Sequence, residues 1–95
     1  IEDVLIQHPG VLDVAVIGVP NEEMGEEVKA VVQALEGADT EELPNSVLAY
    51  AREHLAAYKV PRSVDLIDEM PRLPTGKLYK RLLRDRYWQD AGRSI

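Results

Sequence analysis

The sequence predicts an α+β domain in which a small sheet packs against about three helices. Two β-branched, apolar runs, 11–19 and 26–35, follow one another across a short turn, and segments with helical spacing of apolar residues lie on both sides of them. The chain has 95 residues, 45% of them hydrophobic and 29% charged, which is the size and composition of one small globular domain. Since no run approaches eighteen apolar residues, the sequence excludes a transmembrane segment.

The strands are predicted from alternation and from the turns that bound them. The run 11–19 contains one acid, Asp13, and ends at Pro20; the run 26–35 places Val28, Ala30 and Val32 on one face and Lys29, Val31 and Gln33 on the other. Because the connection is short, we expect an antiparallel pair. A short third strand is predicted at 63–68.

Three helices are predicted from apolar spacing. Residues 1–8 form one, ended by Pro9 and Gly10. Thr40 is expected to cap a second, which carries Val47, Leu48, Ala51 and Leu55 on one face. The third spans 78–88, with Leu78 and Leu82, and beside them Tyr79 and Leu83, facing the core, and with Lys80, Arg81 and Arg84 facing outward.

Charge is divided unevenly between the two halves of the chain. The net charge is −6, yet residues 1–48 hold eleven acids against Lys29 alone, whereas residues 49–95 hold ten bases against six acids. This division suggests that the second half meets an anion. A nucleic acid is not the expected partner, because the first half is acidic and the chain has only one Trp, four Tyr and no Phe.

Several kinds of site are excluded by residue type. The chain has no Cys and only two His, His8 and His54, so no metal site is expected. A phosphate-binding GxxxxGK[S/T] loop is rejected, because Pro71 stands in place of the first glycine and Leu78 follows the lysine. A Ser/His/Asp arrangement using Ser46 or Ser63 is disfavoured, since neither serine lies in a nucleophile elbow.

The stretch from Met70 to Lys77 is the most unusual in the chain. Two prolines stiffen it, and Gly76 permits a tight backbone immediately before the lysine. We therefore expect no regular structure over 69–77, and we expect Lys77 at the tip of a held loop beside the start of a helix.

Five blocks in this chain resemble the C-terminal domain of the adenylate-forming superfamily, which includes acyl-CoA synthetases, peptide-synthetase adenylation domains and luciferases. The resemblance covers nearly the whole chain, with the blocks in order and at the family's spacing. They are Gly18-Val19-Pro20-Asn21, Gly25-Glu26, Ala56-Ala57-Tyr58-Lys59-Val60-Pro61, Leu73-Pro74-Thr75-Gly76-Lys77 and 78–84. The ending GKLYKRLLRDRYW is most similar to synthetases for fatty or other hydrophobic acids.

The resemblance implies a mobile lid and two half-reactions. A carboxylic acid and MgATP give an acyl-adenylate and pyrophosphate; coenzyme A then gives the thioester and AMP, and the domain rotates between the steps. Lys77 matches the family's lysine of the first step, with Thr75 and Gly76 beside it near the substrates. Arg52 matches a position that several acyl-CoA synthetases use for CoA phosphates, and Tyr58 and Lys59 lie in a loop that can face the CoA nucleotide.

The family's hinge and its large N-terminal adenylation domain are absent from these residues. The resemblance therefore implies that residues 1–95 are the lid of a longer enzyme and that the N-terminal domain is its partner. We expect these 95 residues alone to be inactive and to bind neither ATP, Mg²⁺ nor CoA. Since no secretory signal is visible, a cytoplasmic protein is expected.

Two other interpretations stay open at this stage. The chain could be a non-catalytic interaction module whose basic C-terminal helix docks on an acidic protein. It could also be the lid of a peptide-synthetase adenylation domain, in which a carrier-protein thiol replaces CoA as the acceptor.

Overall fold

The structure, a computed structural model, describes residues 1–23 and 25–93, with side chains through residue 89. Its strands form one three-stranded sheet in the order β1-β2-β3, with β1 antiparallel to β2 and β3 parallel to β2. The predicted α+β class is confirmed. The elements are α1 (Glu2–Leu5), β1 (Val11–Asn21), β2 (Gly25–Ala34), α2 (Leu43–His54), a 3₁₀ turn (Ala57–Lys59), β3 (Ser63–Leu66) and α3 (Lys80–Arg93).

The sheet has a hydrophobic cluster on each face. Alternation along β2 turns Ala30 and Val32 to one face and Val31 to the other, as predicted. The α2 face carries the first core cluster, which consists of Leu5, Val11, Val14, Ala30, Val32, Leu43, Val47 and Ala51. The α3 face carries the second core cluster, which consists of Ala15, Ile17, Val19, Val31, Met70 and Leu83.

A β-bulge interrupts β1 near its start. Val11 is opposite Ala34 and Asp13 is opposite Gln33, so Leu12 is the extra residue of the bulge and has no cross-strand partner. The Leu12 side chain is 52% exposed. The extra residue reverses the alternation that follows it. Asp13 therefore lies on the face of the second core cluster, whereas simple alternation from Val11 would place it on the face of the first.

The outer edge of β1 is covered by side chains. The Val14 amide donates to the Asp13 carboxylate (2.9 Å) and the Val16 amide donates to the Glu2 carboxylate (2.7 Å). Two residues further on, the Trp88 indole donates to the Gly18 carbonyl (3.0 Å). An edge strand with free amides is a template for pairing with another chain, and these contacts occupy it.

The start of α2 differs from the prediction. The helix begins at Leu43, and the Asp39 carboxylate accepts from the Glu41 and Glu42 amides at 3.1 and 3.4 Å. The prediction that Thr40 caps the helix is wrong, because Thr40 precedes the helix by too many residues and Asp39 already satisfies the exposed amides.

The third helix also begins later than predicted. It starts at Lys80, because Leu78 and Tyr79 belong to the preceding segment. Leu83 is 2% exposed and packs in the second core cluster, and Leu78 packs against it, as predicted. Leu82, which was expected to face the core, is 39% exposed.

Candidate functional site

Lys77 lies on a small β-hairpin, and the expectation of an irregular segment is wrong at this point. We call residues 71–79 the Lys77 hairpin. Arg72 and Leu78 form an antiparallel bridge, the Leu73 amide donates to the Lys77 carbonyl (2.8 Å) and the Tyr79 amide donates to the Pro71 carbonyl (2.9 Å). Proline was expected to prevent pairing, but Pro71 and Pro74 occupy positions whose missing amides this hairpin does not need.

The tip of the hairpin is a tight turn. The Gly76 amide donates to the Leu73 carbonyl (2.8 Å), and Gly76 has a φ of +90°. Pro74 stands at the second position of the turn, where its fixed φ is suitable, and glycine tolerates the positive φ that closes a three-residue hairpin loop. The turn makes Lys77 the first residue of the returning arm.

The Lys77 side chain is exposed and has no ion-pair partner among the described side chains of residues 1–23 and 25–89. Thr75 and Gly76 beside it are exposed as well. A long, flexible stem with a compact charge can reach away from such a turn to a neighbouring anion. The ammonium is thus presented outward from its own domain.

Polar side chains attach this hairpin to the sheet. The Arg72 guanidinium donates to the Gly76 carbonyl (2.7 Å) and, with its other terminal nitrogen, to the Asp13 carboxylate. Gln33, the cross-strand partner of Asp13, accepts from the Met70 amide (2.9 Å). Gln33 takes this face of the sheet by alternation from Val31, and the β-bulge turns Asp13 to the same side.

A second ion pair holds the end of the hairpin. The Lys80 ammonium is 2.7 Å from the Glu2 carboxylate, whose same oxygen accepts the Val16 amide. Asp13 and Glu2, which both accept amides at the β1 edge, therefore also bind the two bases that flank Lys77 in the sequence. Asp13 binds Arg72, and Glu2 binds Lys80. Neither carboxylate belongs to a motif that would mark it from the sequence as part of this site. The one signal for Asp13 was a single acid within an apolar strand.

The structure does not bring the other predicted site residues to this hairpin. Arg52 is exposed on α2, and Tyr58 is 84% exposed, with the Lys59 ammonium 5.7 Å from the centre of its ring. Val60, which follows them, packs against the first core cluster. These residues belong to the α2 face of the sheet, whereas the Lys77 hairpin belongs to the α3 face.

A partly buried tyrosine fastens α3 to the sheet. The Tyr87 hydroxyl donates to the Asp65 carboxylate (2.7 Å), which also pairs with the Lys29 ammonium at 3.1 Å. Burial, followed by the hydrogen bond to Asp65, raises the pKa of Tyr87 well above its usual range. Tyr87 therefore serves as a neutral donor and holds α3 against β3.

A cleft between the α1–β1 connection and the start of α2 brings His8 and Ser46 together. The two side chains are 2.8 Å apart, and the His8 Nδ1 accepts the Gly10 amide (2.9 Å). With Nδ1 as acceptor, a neutral ring carries its proton on Nε2 and donates to Ser46, so it cannot take the proton from that hydroxyl. Asp39 and Glu42 also line this cleft of about 420 Å³, and their charge opposes an anionic ligand. The arrangement is a structural contact.

The part of the chain that the structure describes has neither a metal-binding cluster nor a membrane-spanning helix. Among the side chains of residues 1–23 and 25–89, no group of three or more His, Asp or Glu is placed to hold a metal ion. Within the same part of the chain, no helix has the length and apolar character needed to cross a membrane.

Comparison with known proteins identifies the domain type. The family described as AMP-binding enzyme C-terminal domain matches residues 1–77. The chain is 41% identical over 95 residues to the fatty acid–[acyl-carrier-protein] ligase ScoC of Streptomyces coeruleorubidus, covering 100% of this chain and 18% of ScoC. It is 46% identical over 85 residues to the long-chain-fatty-acid–CoA ligase of Escherichia coli O157:H7, covering 90% of this chain and 15% of that enzyme.

A solved structure shares the fold. The ATP-bound MatB from Rhodopseudomonas palustris superposes with a TM-score of 0.79 at 39% identity, covering 90% of this chain and 17% of that protein. The chain thus spans less than a fifth of the length of the relatives it matches.

Proposed function

This chain belongs to the AMP-binding enzyme C-terminal domain family, and we propose that it is the mobile lid of an ATP-dependent acid–thiol ligase. The reaction converts a carboxylic acid, ATP and CoA to acyl-CoA, AMP and pyrophosphate. The observation that carries this proposal is the exposed ammonium of Lys77, which has no ion pair with the described side chains and lies on a hairpin attached to the sheet. The partner of the lid is the N-terminal adenylation domain of the same enzyme.

Lys77 acts in the first half-reaction. A carboxylate that attacks an α-phosphate brings two anions together, and negative charge builds on the phosphoryl oxygens. An ammonium between the reactants favours both their approach and the transition state. Thr75 and Gly76 form the turn that brings it there, and their exposure leaves room for the substrates.

Mg²⁺ would enter with ATP and neutralise part of the triphosphate charge. No carboxylate cluster in the described part of this chain fits a metal ion. We therefore assign the Mg²⁺ ligands to the nucleotide and to the partner domain, and we expect the 95 residues alone to be inactive.

The second half-reaction uses the other face of the sheet. Arg52, Tyr58 and Lys59 are exposed on the α2 face, where two cations and an aromatic ring suit the phosphates and adenine of CoA. A lid that rotates between the two steps would present one face in each. The separation of the two residue groups supports this arrangement.

The relatives support a proposal for the acyl substrate class, and their names give two different acceptors. Both curated relatives are ligases of fatty acids, one transferring to CoA and the other to an acyl-carrier protein. We propose a fatty or other hydrophobic carboxylic acid with CoA as acceptor, and a cytoplasmic location, where ATP and CoA are both present. Offering the full-length enzyme CoA and a carrier protein separately tests the acceptor; thioester formed only on the carrier would refute this part.

The interaction-module alternative is weaker because two basic residues of its docking helix already have partners. Lys80 pairs with Glu2, and Arg84 lies 3.7 Å from Glu26.

The Lys77→Ala variant of the full-length enzyme tests the role of the lysine. Adenylate formation, measured by ATP–pyrophosphate exchange, should fall by about 10²–10³. Thioester formation from a supplied acyl-adenylate should be unchanged, because the ammonium is needed only in the first step. Lys77→Arg is the matched control that keeps the charge, and it should retain more adenylation than Lys77→Ala. Equal loss in both half-reactions would refute the assignment.

A further inference from the structure

We propose that Arg72 and Asp13 are positioning residues for Lys77, joined in a brace that fixes the hairpin tip to the sheet. This inference rests on the proposed function of Lys77. It concerns a different question, namely what holds the ammonium where the reaction needs it.

The hairpin tip has little apolar packing of its own. Residues 72–77 are all exposed, and a single bridge joins the two arms. Leu78 packs against the second core cluster at the base, but this contact lies behind Lys77 and not at the turn. A short, exposed hairpin of this kind is a marginal structure in water. The tip therefore needs polar contacts to keep one orientation.

Arg72 supplies these contacts with both of its terminal nitrogens. One donates to the carbonyl of Gly76, the residue directly before Lys77, and the other donates to Asp13. The planar guanidinium is suited to holding two acceptors at a set angle, which a lysine cannot do. It thus connects the backbone next to the catalytic ammonium to a strand of the sheet.

Asp13 is a firm anchor for this contact. Its side chain is 17% exposed, against 45% for Arg72, and its second oxygen accepts the Val14 amide at 2.9 Å. An ordinary ion pair between exposed side chains has little energetic value because both partners are free to move. Here the Val14 amide already holds the Asp13 carboxylate, so forming the ion pair with Arg72 costs little further conformational entropy.

The β-bulge at Leu12 makes this brace geometrically feasible. If Leu12 took part in regular pairing after Val11, Asp13 would share the face of Val11 and point to the first core cluster, on the opposite side of the sheet from the hairpin. Bulges frequently redirect a side chain toward an active site. The bulge, the partly buried Asp13 and Arg72 between two prolines thus contribute to one structural role.

The test measures both half-reactions in the full-length enzyme for Arg72→Ala, Arg72→Lys and Asp13→Asn. Misplacing a catalytic group by about 1 Å can cost about 10²-fold in rate. We therefore expect Arg72→Ala to lower adenylation by roughly 10- to 100-fold, while thioester formation from supplied acyl-adenylate stays unchanged. Arg72→Lys should not restore adenylation fully. The Arg72→Ala/Asp13→Asn double variant should lose no more adenylation activity than Arg72→Ala alone, because the two residues act as one unit.

Arg81→Ala, which removes an exposed arginine of α3, is the matched control and should leave both half-reactions unchanged. Normal thioester formation shows that a variant has folded, so a merely structural role would appear as equal loss in both steps and would overturn the brace. Unaltered adenylation in Arg72→Ala, or additive losses in the double variant, would also overturn it. Lys77→Ala separates the two proposals: if that variant keeps its adenylation, the proposed function fails first.

Discussion

Two adjacent leucines in α3 offer a sharp test of how this helix is attached. Leu83 is 2% exposed and lies in the second core cluster with Ile17 and Met70, whereas Leu82 is 39% exposed. Leu83→Ala and Leu82→Ala remove the same atoms from the same turn of helix. Any difference in their effect therefore measures burial alone.

The expected magnitudes follow from this difference in burial. Leu83→Ala removes a fully packed side chain and leaves a cavity, which costs about 3 kcal/mol, within the usual range of 2–5 kcal/mol. Leu82→Ala should cost less than about 1 kcal/mol, since much of its surface already contacts water. A domain of this length has a free energy of unfolding of roughly 5–14 kcal/mol. The first substitution thus removes a large fraction of the stability.

Thermal unfolding of the 95-residue chain, followed by circular dichroism, measures both effects. For a domain of this size 1 kcal/mol corresponds to about 4–8 °C, so Leu83→Ala should lower Tm by roughly 12–24 °C. Urea unfolding should give the same order of effects without a change in m-value. Equal losses for the two variants, or a larger loss for Leu82→Ala, would show that α3 does not pack through Leu83 and would refute the assignment of its buried face.

Three further outcomes can be measured with single variants. The pKa of Tyr87 is raised in the folded state, so its contribution to the free energy of unfolding is fully present below the ordinary value of 10.0 and is lost as pH rises beyond it. Urea unfolding should therefore show a smaller loss of stability for Tyr87→Phe than for the unchanged chain between pH 9 and about 11. Hydrogen bonds from Asn21 and Ser63 lower the pKa of Glu27, so its contribution to the free energy of unfolding is present above pH 4.5 and is lost as pH falls. Glu27→Gln should therefore reduce the loss of stability at acidic pH, and an unchanged acidic loss would contradict this role. In Gly76→Ala the added Cβ has no atom within 4 Å, but the alanine must adopt a φ of +90°, which costs about 1–2 kcal/mol. Adenylation by the full-length enzyme should fall about tenfold, and full activity would show that the turn is not required.

The sheet could be predicted because its signals are local. The run that contains Val14 is β-branched and apolar, the run that contains Val31 alternates, and the short connection between them favours antiparallel pairing. The bulge was not predictable, since one inserted residue changes which face each side chain takes without altering the composition of the strand. The burial of Leu83 in place of Leu82 depends on where α3 begins, and that start is set by the hairpin before it.

The candidate site was only partly predictable for a related reason. The prolines and Gly76 mark an unusual loop, and the family resemblance singled out Lys77. Contacts between residues distant in sequence left no local trace: Arg72 meets Asp13 across 59 positions, and Tyr87 meets Asp65 across 22. Pairings of this kind follow from the packed fold and not from the spacing of the residue types.

The covered edge of β1 has a consequence for a domain proposed to travel between two docked positions. In the proposed rotation the outer edge of β1 would face solvent, where an uncovered edge strand would pair with another polypeptide and stop the catalytic cycle. A carboxylate from α1 and an indole from α3 close that rim from within the same domain, so the closure moves with it. A lid that rotates as proposed would therefore carry its own protection against pairing with another chain.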